Sequence, residues 1–421
     1  MKRLKQQMIQ TRQRQRGAVA IIVGITIVVL VGMIGLVVDL GHLFVFKTEL
    51  QNAADSCALA AAKELDGTSD ALLRAQSAGI TVGQQNKADL QATAVSILPA
   101  NVKFSAVLSP NSNYLSLSDG ANPVTSKYAM CTVNRSGIAM WFMQVMGFGN
   151  QTVAAEAVAT LASSQTTCAI PLGLCKPATP PASCPDGSLP EQNMCKGDWL
   201  SGLFSSGGGI TGNFNWIAFP GTAGGEPGVA AMLTGPGKCD LSTVGTTLNS
   251  ETGTMGNAAK RAWDSRFGLY QPGAGNPNPT TAPPDRTGFA YTTTPQGISA
   301  WPTQRNALSD FQTKQSFHTQ YQGDASTGLN VSPPMSSASL INATTDRRLA
   351  TAPVVDCSTW GPGHSIALDA WACILLLHPV GPTDGTLTLE YRGMSSDANS
   401  PCASFGIPGG TVGPLVPVLV Q

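Results

Sequence analysis

The amino-acid sequence predicts an α+β protein with a membrane anchor. An N-terminal transmembrane helix is expected to continue into an amphipathic stalk helix packed on a small β-sheet domain. A Gly/Pro-rich, mostly β, disulfide-containing C-terminal region is expected to follow. Three observations predict this: an uncharged apolar run over 18–38, apolar spacing that changes from helical to alternating near Val102, and 45 Gly, 29 Pro and 10 Cys.

The first 38 residues have the charge pattern of a single-pass anchor. Residues 1–17 form a basic stub without acidic side chains, and residues 18–38 contain no charge. A helix over this run rises about 30 Å, the thickness of a hydrocarbon core. Because Lys and Arg stay on the cytoplasmic side, the chain after Asp39 is expected to be exported. A cleaved secretory signal is the alternative, but its apolar region would be shorter, about 7 to 15 residues.

Residues 39–66 predict an amphipathic stalk helix. No Pro interrupts the sequence, so anchor and stalk can form one rod, which Asp66 and Gly67 are expected to end. Small residues on the apolar face allow close approach of another element. That face consists of Leu43, Phe46, Leu50, Ala54, Cys57, Ala58, Ala61 and Leu65, at the spacing of one helical surface.

Residues 67–163 predict an exported α+β domain in which one sheet packs on helices. A second helix is expected over 70–85. Alternation over 101–108 and residues typical of strands at 127–133 and 152–161 predict the sheet.

A short helix is also expected before the last of these strands. Ser136 is a suitable N-cap, and Trp141, Phe142 and Met146 follow helical spacing. Gly147 would end this helix.

The remaining sequence predicts a Cys/Pro-rich connector over 164–200 and a Gly/Pro-rich, β-rich region over 201–421. One helix is expected there, over 255–267. The apolar stretch 370–377 is too short for a second membrane crossing. Strands are expected at 212–219, 349–357, 365–377 and 386–391.

The ten cysteines predict disulfide bonds, because an exported chain meets an oxidising compartment. The connector spacings do not resemble paired zinc ligands, and local bridges Cys168–Cys175 and Cys184–Cys195 are expected. Cys57 lies on the apolar face of the stalk helix and Cys131 on a strand that this face should cover. These two either form a bridge that clamps helix to sheet or remain two buried thiols.

Composition and motifs exclude several function classes. Only 12% of the residues are charged, the formal net charge is zero, and the one dense basic cluster is the stub, so no nucleic-acid partner is expected. Outside the membrane edge the histidines are His318, His364 and His378, and none lies in a catalytic motif. We therefore predict no catalytic residues, no cofactor and no metal.

The stretch from Arg16 to Leu65 resembles a known family. Arg16 and Gly17 precede the apolar run, Asp39 and Gly41 follow it, and the string LQNAAD occupies 50–55. Together these features are similar to the N-terminal region of Tad (tight-adherence, Flp-type) pilus-assembly proteins, in particular the TadG-like group.

The resemblance implies a non-enzymatic, single-pass component of the bacterial inner membrane, with its N-terminus cytoplasmic and its bulk periplasmic. Its implied partners are the inner membrane and other pilus-assembly or pilin-like proteins, and the oligomeric state stays open. Two features depart from relatives. Ile22 stands where processed pilin-like relatives have Glu, and Asp356 begins a string that lacks the second Ser of a von Willebrand factor A metal site.

The stalk residues are candidates for partner contact or helix packing, and for the polar ones a merely solvated face is the alternative. The function predicted first is Tad/Flp-type pilus assembly. A minor pilin-like or adhesive subunit of the exported fibre is the alternative, and an exported enzyme is less favoured. The candidate residues are Leu50, Asn52, Ala54, Asp55, Cys57, Ala58 and Ala61, with possible disulfides at Cys57, Cys131, Cys168, Cys175, Cys184 and Cys195.

Overall fold

A single helix, α1, extends over Lys2–Lys63 and contains both the apolar run and the stalk sequence. Between Val19 and Val38 most of its large apolar side chains are exposed. Within the described residues it is the one helix long and apolar enough to cross a membrane. From Asp39 onward one of its faces is buried. The rod that the uninterrupted sequence pattern predicts is therefore present as one continuous helix.

The structure is a computed structural model and describes residues 2–108, 113–204, 212–251, 253–291, 307–322, 335–343, 346–361, 363–380 and 385–421. These residues divide into two compact units. The first consists of Met1–Leu161 with Pro417–Gln421, and the second of Ala162–Val416.

The first unit packs helices on one antiparallel sheet. The sheet order is β3-β4-β5, with Val102 opposite Cys131 and Cys131 opposite Ala157, and β1 pairs with β2 in a separate two-strand hairpin. The elements are α2 (Ala71–Gly83), β1 (Lys87–Ala88), β2 (Thr93–Ala94), β3 (Val102–Ser105), β4 (Tyr128–Ile138) and β5 (Gln151–Thr166).

The core of the first unit lies between α1 and the sheet. The apolar face of α1 meets strand residues such as Val102, Phe104 and Ala157, and all of these side chains are nearly inaccessible to water. The α+β prediction, with a long helix packed on a small sheet, is confirmed. Burial of this face, rather than intrinsic helix propensity, holds the C-terminal half of α1 in place.

The short helix predicted after Ser136 is wrong. β4 continues to Ile138, and only a 3₁₀ turn forms, over Met143–Met146. Gly147 ends this turn with φ of 84°, as expected for a left-handed C-cap. The turn is held by α1 instead, because a side chain of that helix accepts hydrogen bonds from three backbone N–H groups at the start of the turn.

The second unit contains eight strands and four helices among its described residues, so helix is more frequent than the single predicted segment. The elements are β6 (Leu172–Cys175), β7 (Trp199–Leu203), β8 (Phe214–Ala218), α3 (Gly225–Thr234), β9 (Thr247–Ser250), α4 (Asn257–Ser265), α5 (Leu308–Ser316), α6 (Ser337–Leu340), β10 (Leu349–Val355), β11 (Ser365–Leu376), β12 (Thr386–Met394) and β13 (Ala403–Pro408).

Seven strands of the second unit form one sheet in the order β10-β6-β8-β9-β11-β12-β7. β11 pairs with β9 near its start, with β12 near its end and also with β10. Since β10, β6, β8 and β9 pair in succession, the pairing returns to β11 and closes a ring of five strands. β10 and β6 are parallel, and the other pairs are antiparallel. β13 pairs with residues 164–166.

The last strand, β14 (Leu415–Leu419), pairs with β5. The Val158 amide donates to the carbonyl of Gln421, and the Val420 amide donates to the carbonyl of Val158, each at 2.8 Å. Residues far from α1 in sequence therefore complete the sheet of the first unit.

Five disulfides form, and they differ in part from the predicted pairs. The bridge Cys168–Cys175 is wrong, because parallel pairing of β6 with β10 brings Cys175 beside the end of β10, and a bridge of Ala169 with Lys238 brings Cys168 beside Cys239. The bonds are Cys57–Cys131, Cys168–Cys239, Cys175–Cys357, Cys184–Cys195 and Cys373–Cys402.

Candidate functional site

Three ionisable side chains are buried at the base of the stalk, where α1 leaves the apolar run. Asp39, His42 and Glu49 lie on the face of α1 that also buries Phe46 and Leu50. Burial of such groups is unfavourable unless hydrogen bonds replace the lost water. Each of the three side chains therefore makes specific hydrogen bonds to other segments of the first unit.

Asp39 binds the loop between β4 and β5. Its carboxylate accepts hydrogen bonds from the backbone N–H groups of Trp141 (2.9 Å), Phe142 (3.0 Å) and Met143 (2.6 Å). These donors stand at the start of the 3₁₀ turn, where helical N–H groups have no intrahelical acceptor. Asp39 thus acts as an N-cap supplied by a distant helix, and it fixes this loop to the end of the apolar run.

His42 joins the same loop to the β1–β2 hairpin. Its ring stacks on that of Trp141, with centroids 4.5 Å apart and planes 14° from parallel. Its Nε2 lies 3.3 Å from Oδ1 of Asp89 at the hairpin tip. The imidazole therefore bridges two segments that are separate in sequence.

Glu49 holds the hairpin tip in a strained conformation. Asp89, Leu90 and Gln91 have φ values of 62°, 54° and 67°, a region that costs L-residues roughly 1–2 kcal/mol each. The Glu49 carboxylate accepts from the backbone N–H groups of Leu90 (3.2 Å) and Gln91 (3.1 Å) and from the Gln91 side chain (3.1 Å). The hydrogen bonds from these successive N–H groups to one carboxylate offset part of the energetic cost of the strained backbone.

The candidate residues of the stalk separate into two sets in the structure. Asn52 is exposed, and the half-buried Asp55 accepts a hydrogen bond of 2.8 Å from Gln51. Gln51 also donates to the carbonyl of Glu156. The other five are buried in the core of the first unit: Leu50, Ala54, Cys57, Ala58 and Ala61.

Close packing of α2 on α1 depends on two glycines that the sequence analysis did not single out. A Cβ added at Gly79 would lie 3.1 Å from the carbonyl oxygen of Cys57, and one added at Gly83 would lie 2.9 Å from Cys57 Cβ. The signal was available, since these glycines are spaced Gly-x-x-x-Gly on a helix, the pattern that brings helix backbones together.

Buried charges in the second unit form a separate cluster. Asp285 accepts from the backbone N–H groups of Arg347 (2.7 Å) and Arg348 (3.0 Å), and Arg266 donates to the carbonyl of Arg347. Burial lowers the pKa of Arg348 to about 10, which leaves it protonated at neutral pH. Its guanidinium donates to the carbonyls of Phe289, Leu376 and Leu377. Arg348 thus joins the segment around Phe289 to the end of β11 through hydrogen bonds.

Two buried aspartates of the second unit have strongly raised pKa values. Burial raises the pKa of Asp264 to about 8, and burial together with the neighbouring Asp285 raises the pKa of Asp346 to about 7. A cavity of about 570 Å³ is lined in part by Arg266, Asp346 and Arg347. In the part of the chain that the structure describes, no three His, Cys, Asp or Glu side chains are grouped so as to hold a metal ion.

The comparisons with known proteins locate a family signal in the first unit. Residues 17–64 match the model of the Tad family, described as putative Flp pilus-assembly TadE/G-like. The match covers the apolar run and the buried face of α1, so the resemblance read from the sequence is confirmed for this segment. It includes Asp39, His42 and Glu49. No curated protein and no solved structure matches the chain.

Proposed function

We propose that this chain is a non-enzymatic, membrane-anchored component of Tad/Flp-type pilus assembly, the machinery of tight adherence. Residues 18–38 remain as the anchor, the basic stub is cytoplasmic, and the chain from Asp39 onward lies in the periplasm of a Gram-negative bacterium. One observation carries the proposal. The segment that matches the Tad family is a single helix whose second half is the central core element of the first unit.

The way α1 enters the first unit supports an assembly role at the membrane. Contact with the β4–β5 loop begins at Gly35, within the apolar run, and continues at Asp39, so no free spacer separates the run from the folded unit. The disulfide Cys57–Cys131 joins the middle of the exported helix to β4. A unit held this way keeps a fixed position relative to the bilayer, which suits a platform for pilus subunits or other assembly proteins.

Partner contact on α1 is assigned to the polar residues that the core does not use. Asn52 and Asp55 remain at or near the surface within the matched segment, whereas their apolar neighbours are buried. The expected result for Asn52→Arg is loss of surface pili with normal accumulation in the inner membrane. Lys63→Ser, at the exposed end of the same helix, is the matched control and should leave pili intact. Normal piliation of Asn52→Arg would remove Asn52 from the partner surface.

The proposal as a whole is tested by deletion and fractionation. Removal of the gene should abolish pili and surface attachment, and a plasmid copy should restore both. The full-length protein should be confined to the inner membrane. A minor pilin-like or adhesive subunit is the second candidate, and a shortened form that begins at Ala18 in sheared pili would favour it. Ile22, in place of the Glu of processed relatives, supports the first candidate.

A further inference from the structure

The loop that Asp39 binds exposes large aromatic side chains. Trp141, Phe142 and Phe148 are 55%, 44% and 52% exposed. Aromatic side chains of this size bury 150–250 Å² each when they find an apolar partner, so about half of that benefit is unrealised here. A cluster of exposed apolar side chains on one short loop indicates a contact surface for a membrane or another protein.

The position of the loop along α1 is fixed by contacts with the apolar run itself. A Cβ added at Gly35 would lie 2.6 Å from Phe142 Cβ, so the backbone of the run and the Phe142 side chain are in direct contact. Trp141 stacks on His42, seven residues further along the helix. The aromatic loop therefore lies at the level where the apolar run ends.

Exposed apolar side chains from other segments of the first unit surround the same level. Leu40 and Phe44 of α1 are exposed, although Asp39 and His42 on the opposite face are buried. Leu90 is exposed at the hairpin tip, next to the residue that contacts His42. Together with Trp141, Phe142 and Phe148 these residues form an apolar collar around the point where α1 leaves the run.

We propose that this collar is inserted into the interfacial layer of the periplasmic leaflet, so that the first unit rests on the membrane rather than standing above it. The occupant is lipid, because the collar is continuous through Gly35 and Leu40 with the helix proposed to span the bilayer. Trp and other aromatic side chains favour the boundary between headgroups and acyl chains. The inference rests on residues 18–38 crossing the membrane, as the proposed function requires.

The test uses the full-length protein reconstituted in phosphatidylcholine vesicles, with and without bromine on the acyl chains near the headgroups. Bromine quenches Trp emission on contact, and the spectrum of the wild type minus that of Trp141→Phe isolates Trp141. Trp371→Phe is the matched control, since Trp371 is buried and donates to the carbonyl of Ser242. The Trp141 signal should be blue-shifted and mostly lost in brominated vesicles, and the Trp371 signal should be equal in both.

Equal Trp141 emission in the two kinds of vesicle would overturn the proposal, and a protein or a second copy would then cover the collar. Vesicle flotation distinguishes a collar that lies outside the lipid from a protein that is not in the membrane at all. A protein that does not float with the vesicles would also refute the proposal that residues 18–38 span the bilayer. Gly35→Leu adds an independent arm. Its side chain would displace Phe142 and reduce quenching of Trp141. A Cβ added at Gly32 meets nothing within 4 Å, so Gly32→Leu should leave quenching unchanged. Identical quenching in both variants would contradict the seating of the loop on Gly35.

Discussion

Replacement of Asp39 by Ala tests how the apolar run of α1 is joined to the loop between β4 and β5. The substitution removes the acceptor of three backbone N–H groups at 2.6–3.0 Å, those of Trp141, Phe142 and Met143. A hydrogen bond to a charged group contributes about 1.5–3 kcal/mol, and loss of an N-cap costs about 0.5–2 kcal/mol. Water can reach part of the exposed loop, so the three losses do not add fully. We expect the free energy of local opening to fall by about 3 kcal/mol.

The measurement is amide hydrogen exchange, read by mass spectrometry on peptides that cover residues 139–150 in detergent micelles. A decrease of about 3 kcal/mol corresponds to roughly 100-fold faster exchange. Asp39→Asn retains one carbonyl oxygen as an acceptor and should give an intermediate rate. Asp55→Ala removes a half-buried carboxylate of the same helix that bonds only to Gln51 among the contacts described above, and it is the control. Unchanged exchange over 139–150 in Asp39→Ala would refute the cap.

Three further predictions concern stability. Replacing both Cys57 and Cys131 by Ser opens a loop with a sequence separation of 74 and should lower the free energy of unfolding of the first unit by about 4 kcal/mol, measured by urea denaturation; a loss below about 1 kcal/mol would contradict this. Gly83→Ala should cost about 1–3 kcal/mol, because its Cβ meets Ile97 Cδ1 as well as Cys57 Cβ, whereas Gly24→Ala, with open space around it, should cost nothing, and equal effects would argue against tight packing of α2 at Gly83. The raised pKa of Asp264, about 8 against an ordinary 3.8, means that the folded state holds this proton more tightly than the unfolded chain, so the contribution is present below pH 3.8 and is lost as pH rises through 8. Asp264→Asn should therefore reduce the fall in stability between pH 5 and pH 8, and an unaltered slope would show that Asp264 does not titrate in this range.

Local sequence pattern was sufficient for elements whose partners are near in sequence, or whose periodic pattern of apolar residues extends over many residues. The continuous helix α1, the helix α2 and the strands at 349–355 and 365–376 follow from spacing and residue type alone. Helices α3, α5 and α6 were missed, since they are short and lie in Gly- and Pro-rich or polar sequence. Their stability comes from packing and from contacts such as that of Glu226 with the first turn of α4.

The candidate site shows the same division. Its apolar members, from Leu50 to Ala61, could be read from helical spacing. Asp39 and Glu49 could have been noticed because they fall on the apolar face of α1, yet spacing does not say what a buried carboxylate binds. Their acceptor roles depend on backbone N–H groups about 40 to 100 residues away, and only the folded chain brings these together.

The sequence was enough to predict the long apolar run, the continuous helix, the α+β class and the resemblance of residues 16–65 to Tad pilus-assembly proteins. These features depend on composition and on periods of a few residues, which the chain carries locally. The tertiary structure alone decided the disulfide partners, the ring of strands in the second unit and the seating of the aromatic loop on Gly35. Each of these joins residues far apart in the chain, and their pairing is selected by the free energy of the whole packed unit rather than by any local preference.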